Sequence, residues 1–220
     1  MSHQDLPRIS IVLVDDDRVG KTTLNLASNE MELGTRRTSL ITRNEINPGP
    51  LSVLYHTSTR RSYGSNIQTV TPDGQICNLS IIDTACSQYY DSVRLLAYPV
   101  TDVFLVCFST VVPESLENVS KKWVPEIQQH CPGTPFLLVG TQIDLKEDRA
   151  TIDKLADKNQ KPISSEEGLD AAKQVGAEKY AECSSLTMEG VKDLFDQAIL
   201  QALKKQGEKS EKKMKNCAIS

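Results

Sequence analysis

Lys21 and Thr22 follow Gly20 at the end of the run Val14-Asp15-Asp16-Asp17-Arg18-Val19-Gly20-Lys21-Thr22. A glycine-lysine-threonine triplet between a strand and a helix is suited to phosphate. Backbone N–H groups at the helix start point at the anion, the lysine adds a mobile positive charge, and the hydroxyl can hold Mg²⁺. On this reading Asp17, Arg18, Val19, Gly20, Lys21, Thr22 and Thr23 form a phosphate-binding loop. The motif asks for glycine at its first position, where this chain has Asp15, and a residue without a side chain is also favoured where Asp17 stands. A carboxylate about 4 Å from a phosphate charge costs roughly 4 kcal/mol at an effective dielectric near 20, or about three decades in affinity. Arg18, Lys21, Mg²⁺ and rotation of the carboxylates into solvent offset part of that cost. Arg18 reads as a solvent-facing loop arginine in preference to an arginine finger acting in cis.

Three further clusters carry chemistry. Asp83 ends the apolar run 79–82, where a carboxylate suits a second Mg²⁺ ligand through water; the plain alternative is a strand-end turn aspartate. Thr141-Gln142-Ile143-Asp144 follows the apolar run 136–139, and Glu182-Cys183-Ser184-Ser185-Leu186 closes a short one. Alone, each reads equally well as a polar turn. His3, His56 and His130 have neither triad nor ligand spacing. The six cysteines show no CxxC or zinc pattern, so reduced thiols are the simplest reading.

The elements that must position these residues are legible as periodicity. Residues 9–14, 67–71, 76–82, 103–108, 136–139 and 179–183 read as strands, with Pro72-Asp73-Gly74 turning a hairpin between the second and third. Residues 22–29, 113–130, 146–160, a segment opening at Ser164-Ser165-Glu166-Glu167, and 190–203 read as helices. Residues 31–66 carry no clear period, and Asn47-Pro48-Gly49-Pro50 breaks any element, so a long mobile connection is expected there. Strands alternating with helices imply a parallel sheet covered on both faces, with ligands at the carboxyl ends of the strands. Gly20, Asp83, Asp144 and Ser185 all fall at such ends.

With 220 residues, 39% of them hydrophobic, the chain can bury a full core in one domain without disulfides or metal. A formal charge of -4 argues against a general nucleic-acid binder. No apolar run has the length of a membrane span, and the start carries no signal peptide.

In this order the four clusters resemble those of a Rho-family small GTPase of the Ras superfamily, in its Rac-like branch. The resemblance extends through Ala97-Tyr98-Pro99, Asp102-Val103-Phe104-Leu105-Val106-Cys107-Phe108-Ser109 and Phe136-Leu137-Leu138-Val139-Gly140. It implies an α/β three-layer P-loop GTPase fold: a six-stranded, mostly parallel sheet with helices on both faces, plus a Rho-type helical insert over 146–160. It implies a disordered lead at 1–7, a GTPase domain over 8–203 and a basic tail over 204–220. GTP or GDP with Mg²⁺ are the implied cofactors, the metal being held by Thr22 and, through water, Asp83. Guanine would be read by Thr141, Gln142, Asp144, Ser184, Ser185 and Leu186. Asp144 would accept from N1–H and the exocyclic amine, a pair adenine lacks, Gln142 would lay its stem over the base, and the Ser185 N–H would meet the guanine carbonyl.

The chain also departs from that family. Cys86 and Ser87 stand where it has a flexible glycine and the glutamine that orients the attacking water, and Gln88 comes one residue late. The first switch within 31–66 is unrecognisable, and Thr57, Ser58 and Thr59 are equal candidates for its Mg²⁺-facing threonine. The chain ends Cys217-Ala218-Ile219-Ser220, which fits a prenylation box with farnesyl on Cys217, behind Lys204, Lys205, Lys209, Lys212, Lys213 and Lys215. The expectation is a membrane-anchored signalling switch on the cytoplasmic face with a cytosolic pool, hydrolysing GTP slowly, in actin or polarity signalling. Effectors, exchange factors and guanine-dissociation inhibitors are the expected protein partners. The rival expectation is a pseudoGTPase: a prenylated binding module whose aspartates exclude nucleotide.

Overall fold

The structure, a computed structural model, describes residues 6–30, 67–70, 74, 76–84 and 91–217. Six strands form one sheet: β1 (Arg8–Val14), β2 (Ile67–Val70), β3 (Ile76–Asp83), β4 (Val103–Ser109), β5 (Phe136–Thr141) and β6 (Lys179–Glu182), in the order β2-β3-β1-β4-β5-β6. β2 runs antiparallel to β3, with Val70 opposite Ile76, and every other neighbouring pair is parallel. The expected hairpin is therefore present, while its Pro72-Asp73 turn lies outside the described residues. So do 31–66, with the first-switch candidates Thr57, Ser58 and Thr59, and Cys86 and Ser87.

The helices are α1 (Lys21–Glu30), α2 (Asp91–Leu95), α3 (Pro113–Asn118), α4 (Val124–His130), α5 (Arg149–Ala156), α6 (Ser165–Val175) and α7 (Val191–Cys217). β4 is buried along its whole length because parallel central strands are covered on both faces. On one face α1 and α7 bring Leu24, Ala27, Leu194, Phe195 and Ile199 onto Ile11, Leu13 and Leu105. On the other, Trp123, Ile127 and Ala172 cover Val12, Phe104 and Leu138. The three layers of the α/β P-loop fold are thus in place.

Three elements differ from their sequence reading. The helix expected over 113–130 is interrupted by a π-helical turn, Val119–Trp123, closed by Val124 N–H donating to Val119 O. Pro125 has no N–H and its ring clashes with the carbonyl four residues back, so wider winding here relieves a conflict that a straight helix would keep. Within 146–160 only Arg149–Ala156 is helical, because Asp148 turns its side chain onto Thr151 N–H at 2.8 Å and fixes the start there. The last helix does not stop at 203 but continues to Cys217. Gln206 docks it to the domain, donating to Arg8 O at 2.8 Å and Asp102 Oδ1 at 3.1 Å. By contrast the cap read at Ser164 forms as a reciprocal pair: Ser164 Oγ accepts from Glu167 N–H, and Glu167 Oε2 from Ser164 N–H. No described helix is long and apolar enough to cross a membrane.

Candidate functional site

The carboxyl ends of β1, β3, β5 and β6 converge where the sequence clusters were expected to meet. β1 delivers the loop 15–20, and α1 leaves it at Lys21. Gly20 has φ +88°, a backbone angle that L side chains avoid, and its carbonyl accepts the first helical bond, from Leu24 N–H at 2.9 Å. The Thr22 side chain is exposed at the helix start, and the Thr23 hydroxyl donates to Gly20 O at 2.7 Å. Val19 is fully buried and pins the loop to the core.

The three consecutive aspartates have three different fates. Asp17 is exposed and pairs with Arg18 at 3.6 Å; Arg18 itself points to solvent with φ 65°. Asp16 turns sideways, accepting from Asn118 Nδ2 at 2.7 Å and Trp123 Nε1 at 3.0 Å. Asp15 points inward and is 2% exposed, with Oδ1 2.7 Å from Lys21 Nζ. Lys21 is buried too; its ammonium also donates to Thr84 O and lies 3.5 Å from Asp83 Oδ1. Thr84 in turn donates to Leu13 O at 2.6 Å, tying β3 to β1 beneath the site.

Neither the Asp15–Lys21 pair nor the anchoring of Asp16 was anticipated from sequence. The signal for the first was present. A carboxylate that continues the buried run 9–14 needs a cation nearby, and Lys21 is the first lysine after it. The second had none, because Asn118 and Trp123 lie about a hundred positions away.

Burial pushes the Asp15 carboxyl from 3.8 up to about 7, and this outweighs the opposing pull of the Lys21 ammonium. The fold therefore favours the neutral acid. Its contribution to stability is fully present below about pH 3.8 and is lost as pH rises through about 7. Against Asp15→Asn, which does not titrate there, the wild-type chain should lose up to roughly 4 kcal/mol of unfolding free energy across that window. Urea melts of both proteins at a series of pH values would show it; a constant difference between them would refute it.

Across the sheet, Thr141 is buried, and its hydroxyl lies within donating distance of both Val19 O and Phe108 O, the latter at 2.9 Å. It holds β5 to the phosphate loop and does not face an open site. Gln142 adopts φ 60°; its Oε1 accepts from Ser109 Oγ at 2.5 Å, and its Nε2 lies 3.5 Å from Arg18 O. Its side chain rests against Gly20, where an added Cβ would come 3.6 Å from Gln142 Cγ. Asp144, in the short 3-10 turn Ile143–Leu145, is half-buried, and its carboxylate makes no hydrogen bond or ion pair among the described residues. Ile143 N–H reaches Cys183 O at 3.5 Å and brings the two turns together. There Ser184 is buried, its Oγ accepting from the N–H groups of Leu186 and Thr187 at 3.2 and 3.1 Å, while Leu186 is 80% exposed. Ser185 is half-buried between them.

The donor set near the loop, one hydroxyl and one partly exposed carboxylate, consists of hard oxygens suited to Mg²⁺. Among the described residues no group of three or more His, Cys, Asp or Glu side chains could hold a metal by itself. Any Mg²⁺ here would need water and phosphate oxygens to complete its shell. Residues 55–204, well over half the chain, match the family model described as the Ras family. The matched span takes in Asp83, the Thr141 turn and the Ser184 turn, and begins beyond the Asp15–Thr22 loop, whose reading rests on its own geometry.

Proposed function

This chain belongs to the Ras family, and on that premise we propose that it is a Rho-like, membrane-anchored guanine-nucleotide switch with slow hydrolysis. Ras-family membership carries guanine-nucleotide binding with Mg²⁺ and GTPase activity in general. The observation that best supports the guanine reading is Asp144: a half-buried carboxylate that makes no hydrogen bond or ion pair among the described residues, beside the Ser184-Ser185-Leu186 turn. It accepts two hydrogen bonds from guanine, and the Ser185 N–H serves the guanine carbonyl. Thr141 acts behind them as a positioning residue, through Val19. Thr22 and Asp83 would hold Mg²⁺, which supplies charge neutralisation at the phosphates when bound.

Hydrolysis would be in-line attack of water on the γ-phosphate, with the leaving charge met by Lys21. Ser87, in place of glutamine, is too short to orient that water in the same way, and this argues for long residence in the triphosphate state. The Rho-like assignment rests on the sequence resemblance, including the 149–156 helix within the insert. Membrane anchoring rests on Cys217 and the upstream lysines, and the backbone of α7 runs to Cys217. Effectors, exchange factors and dissociation inhibitors follow from the same resemblance. The buried Asp15–Lys21 pair favours a second reading, a pseudoGTPase that keeps fold and anchor without nucleotide.

A nucleotide census separates the two. Protein purified gently with Mg²⁺ is denatured, and the released nucleotide is identified by ion-exchange chromatography. Stoichiometric GTP is the expected result. Stoichiometric GDP, with turnover that a GTPase-activating protein accelerates normally, would refute slow hydrolysis. A folded protein that releases nothing and takes up neither added GTP nor GDP would establish the second reading.

A further inference from the structure

Of the three aspartates in the loop, Asp15 alone enters the site. Asp16 is held to Asn118 and Trp123, and Asp17 stands in solvent. Asp15 and Lys21 are 2% and 6% exposed and 2.7 Å apart. That ammonium is the group a phosphate would come to meet, and it already faces the carboxylates of Asp15 and Asp83 and the carbonyl of Thr84. Among the described residues Asp16 is the other charged group that acts on Asp15, it too is a carboxylate, and the Cys107 thiol of β4 feels the Asp15 charge in turn. An incoming polyphosphate therefore meets two carboxylates around one buried lysine.

We propose that Asp15 is an internal occupant of the phosphate subsite: its carboxylate holds Lys21 and must yield it before the β- and γ-phosphates of a nucleotide can be bound. The inference rests on the guanine-nucleotide reading above and adds a regulatory property to it. Affinity is held down in proportion to the phosphate charge of the ligand, while the base subsite around Asp144 is untouched. Removing the carboxylate returns Lys21 to the phosphate. Drawing Lys21 away with the carboxylate in place strands a buried charge, and such separations are costly.

The test uses the full chain in Mg²⁺ at about pH 8, where the Asp15 carboxyl is ionised. Wild type, Asp15→Gly and Asp15→Asn are titrated calorimetrically with GTP and with guanosine. Asp15→Asn keeps the side-chain volume and guards against a folding defect in the glycine variant; circular dichroism melts verify both. The expected result is a gain in GTP affinity of about a hundredfold or more in both variants, with guanosine affinity changed by less than about threefold. Wild type and variants binding GTP equally would overturn the inference and leave the nucleotide reading standing. An equal gain for GTP and guanosine would also overturn it, since the effect would then lie outside the phosphate subsite. Three folded proteins that bind neither ligand would sink the nucleotide reading and this inference with it.

Discussion

Replacing Gly190 with alanine is expected to lower the unfolding free energy by about 3–5 kcal/mol, measured by urea denaturation. Two independent costs act at this position. Gly190 has φ +69°, and an L side chain there carries a steric penalty of about 1–2 kcal/mol. Its Cβ would also stand 2.1 Å from Glu182 O, a backbone atom at the end of β6 that cannot rotate away. Relief requires moving either the strand end or the start of α7, whose first bond runs from Leu194 N–H to Gly190 O. Ser184 N–H donates to Glu189 O at 2.9 Å, so the displacement passes directly to the turn proposed to meet guanine. Nucleotide affinity should fall along with stability. Gly207→Ala is the control, because a Cβ there meets nothing within 4 Å and the site lies inside α7. That variant should gain roughly 0.5–1 kcal/mol. A Gly190→Ala protein within about 1 kcal/mol of wild type would contradict the packing described here.

Arg94→Ala should cost about 3–4 kcal/mol. Arg94 is fully buried in α2 and forks onto Glu126 of α4, with Nε to Oε1 at 2.9 Å and a terminal nitrogen to Oε2 at 2.7 Å. The same terminal nitrogen reaches Asp91 at 2.8 Å, and the guanidinium lies 5.1 Å from the Trp123 ring centroid. Tyr98 donates to Glu126 from the other side at 2.5 Å. Burial alone would raise the Glu126 carboxyl, but the bonds from Arg94 and Tyr98 hold it below its usual range. Without Arg94 that carboxylate loses its counter-charge; its 18% exposed edge keeps the expected loss toward the lower end of the range for a broken buried pair. Arg94→Lys should recover only part of it, because an ammonium cannot reproduce the planar fork. If the loss in the double variant Arg94→Ala/Glu126→Gln equalled the sum of the losses in Arg94→Ala and Glu126→Gln alone, the coupling between the two residues would be disproved.

The sheet was legible because its strands obey simple rules. A continuous apolar run such as 103–108 has few alternatives to a covered parallel strand, and the reciprocal cap at Ser164 and Glu167 is specified within four residues. The positions of Gly20, Asp83, Asp144 and Ser185 at strand ends followed from the alternation of elements. Side-chain direction did not. Asp15, Asp16 and Asp17 look alike in sequence, and only partners brought in by the fold separate them. The family resemblance places Thr141 among the base contacts, yet the parallel register of β4 and β5 turns its hydroxyl inward to the Val19 and Phe108 carbonyls. The length of α7 was underestimated because apolar periodicity fades after Leu203, although the polar residues that follow are good helix formers and Gln206 still finds partners on the domain.

The wide turn at Val119–Trp123 sets a phase. In a regular α-helix, side chains five positions apart point about 140° away from each other, so Asn118 and Trp123 could not both face one neighbour. The extra residue absorbed by the π turn brings both donors round to the same carboxylate, and Asp16 is held at each oxygen. The winding of a helix on one side of the sheet thereby decides which way an acidic side chain turns at the tip of β1. Deleting one residue of the turn, such as Lys121, would put the two donors four positions apart in ordinary winding, about 40° from each other on one face, so Asp16 should keep both, whereas straightening the turn at full length would carry one of them off its target.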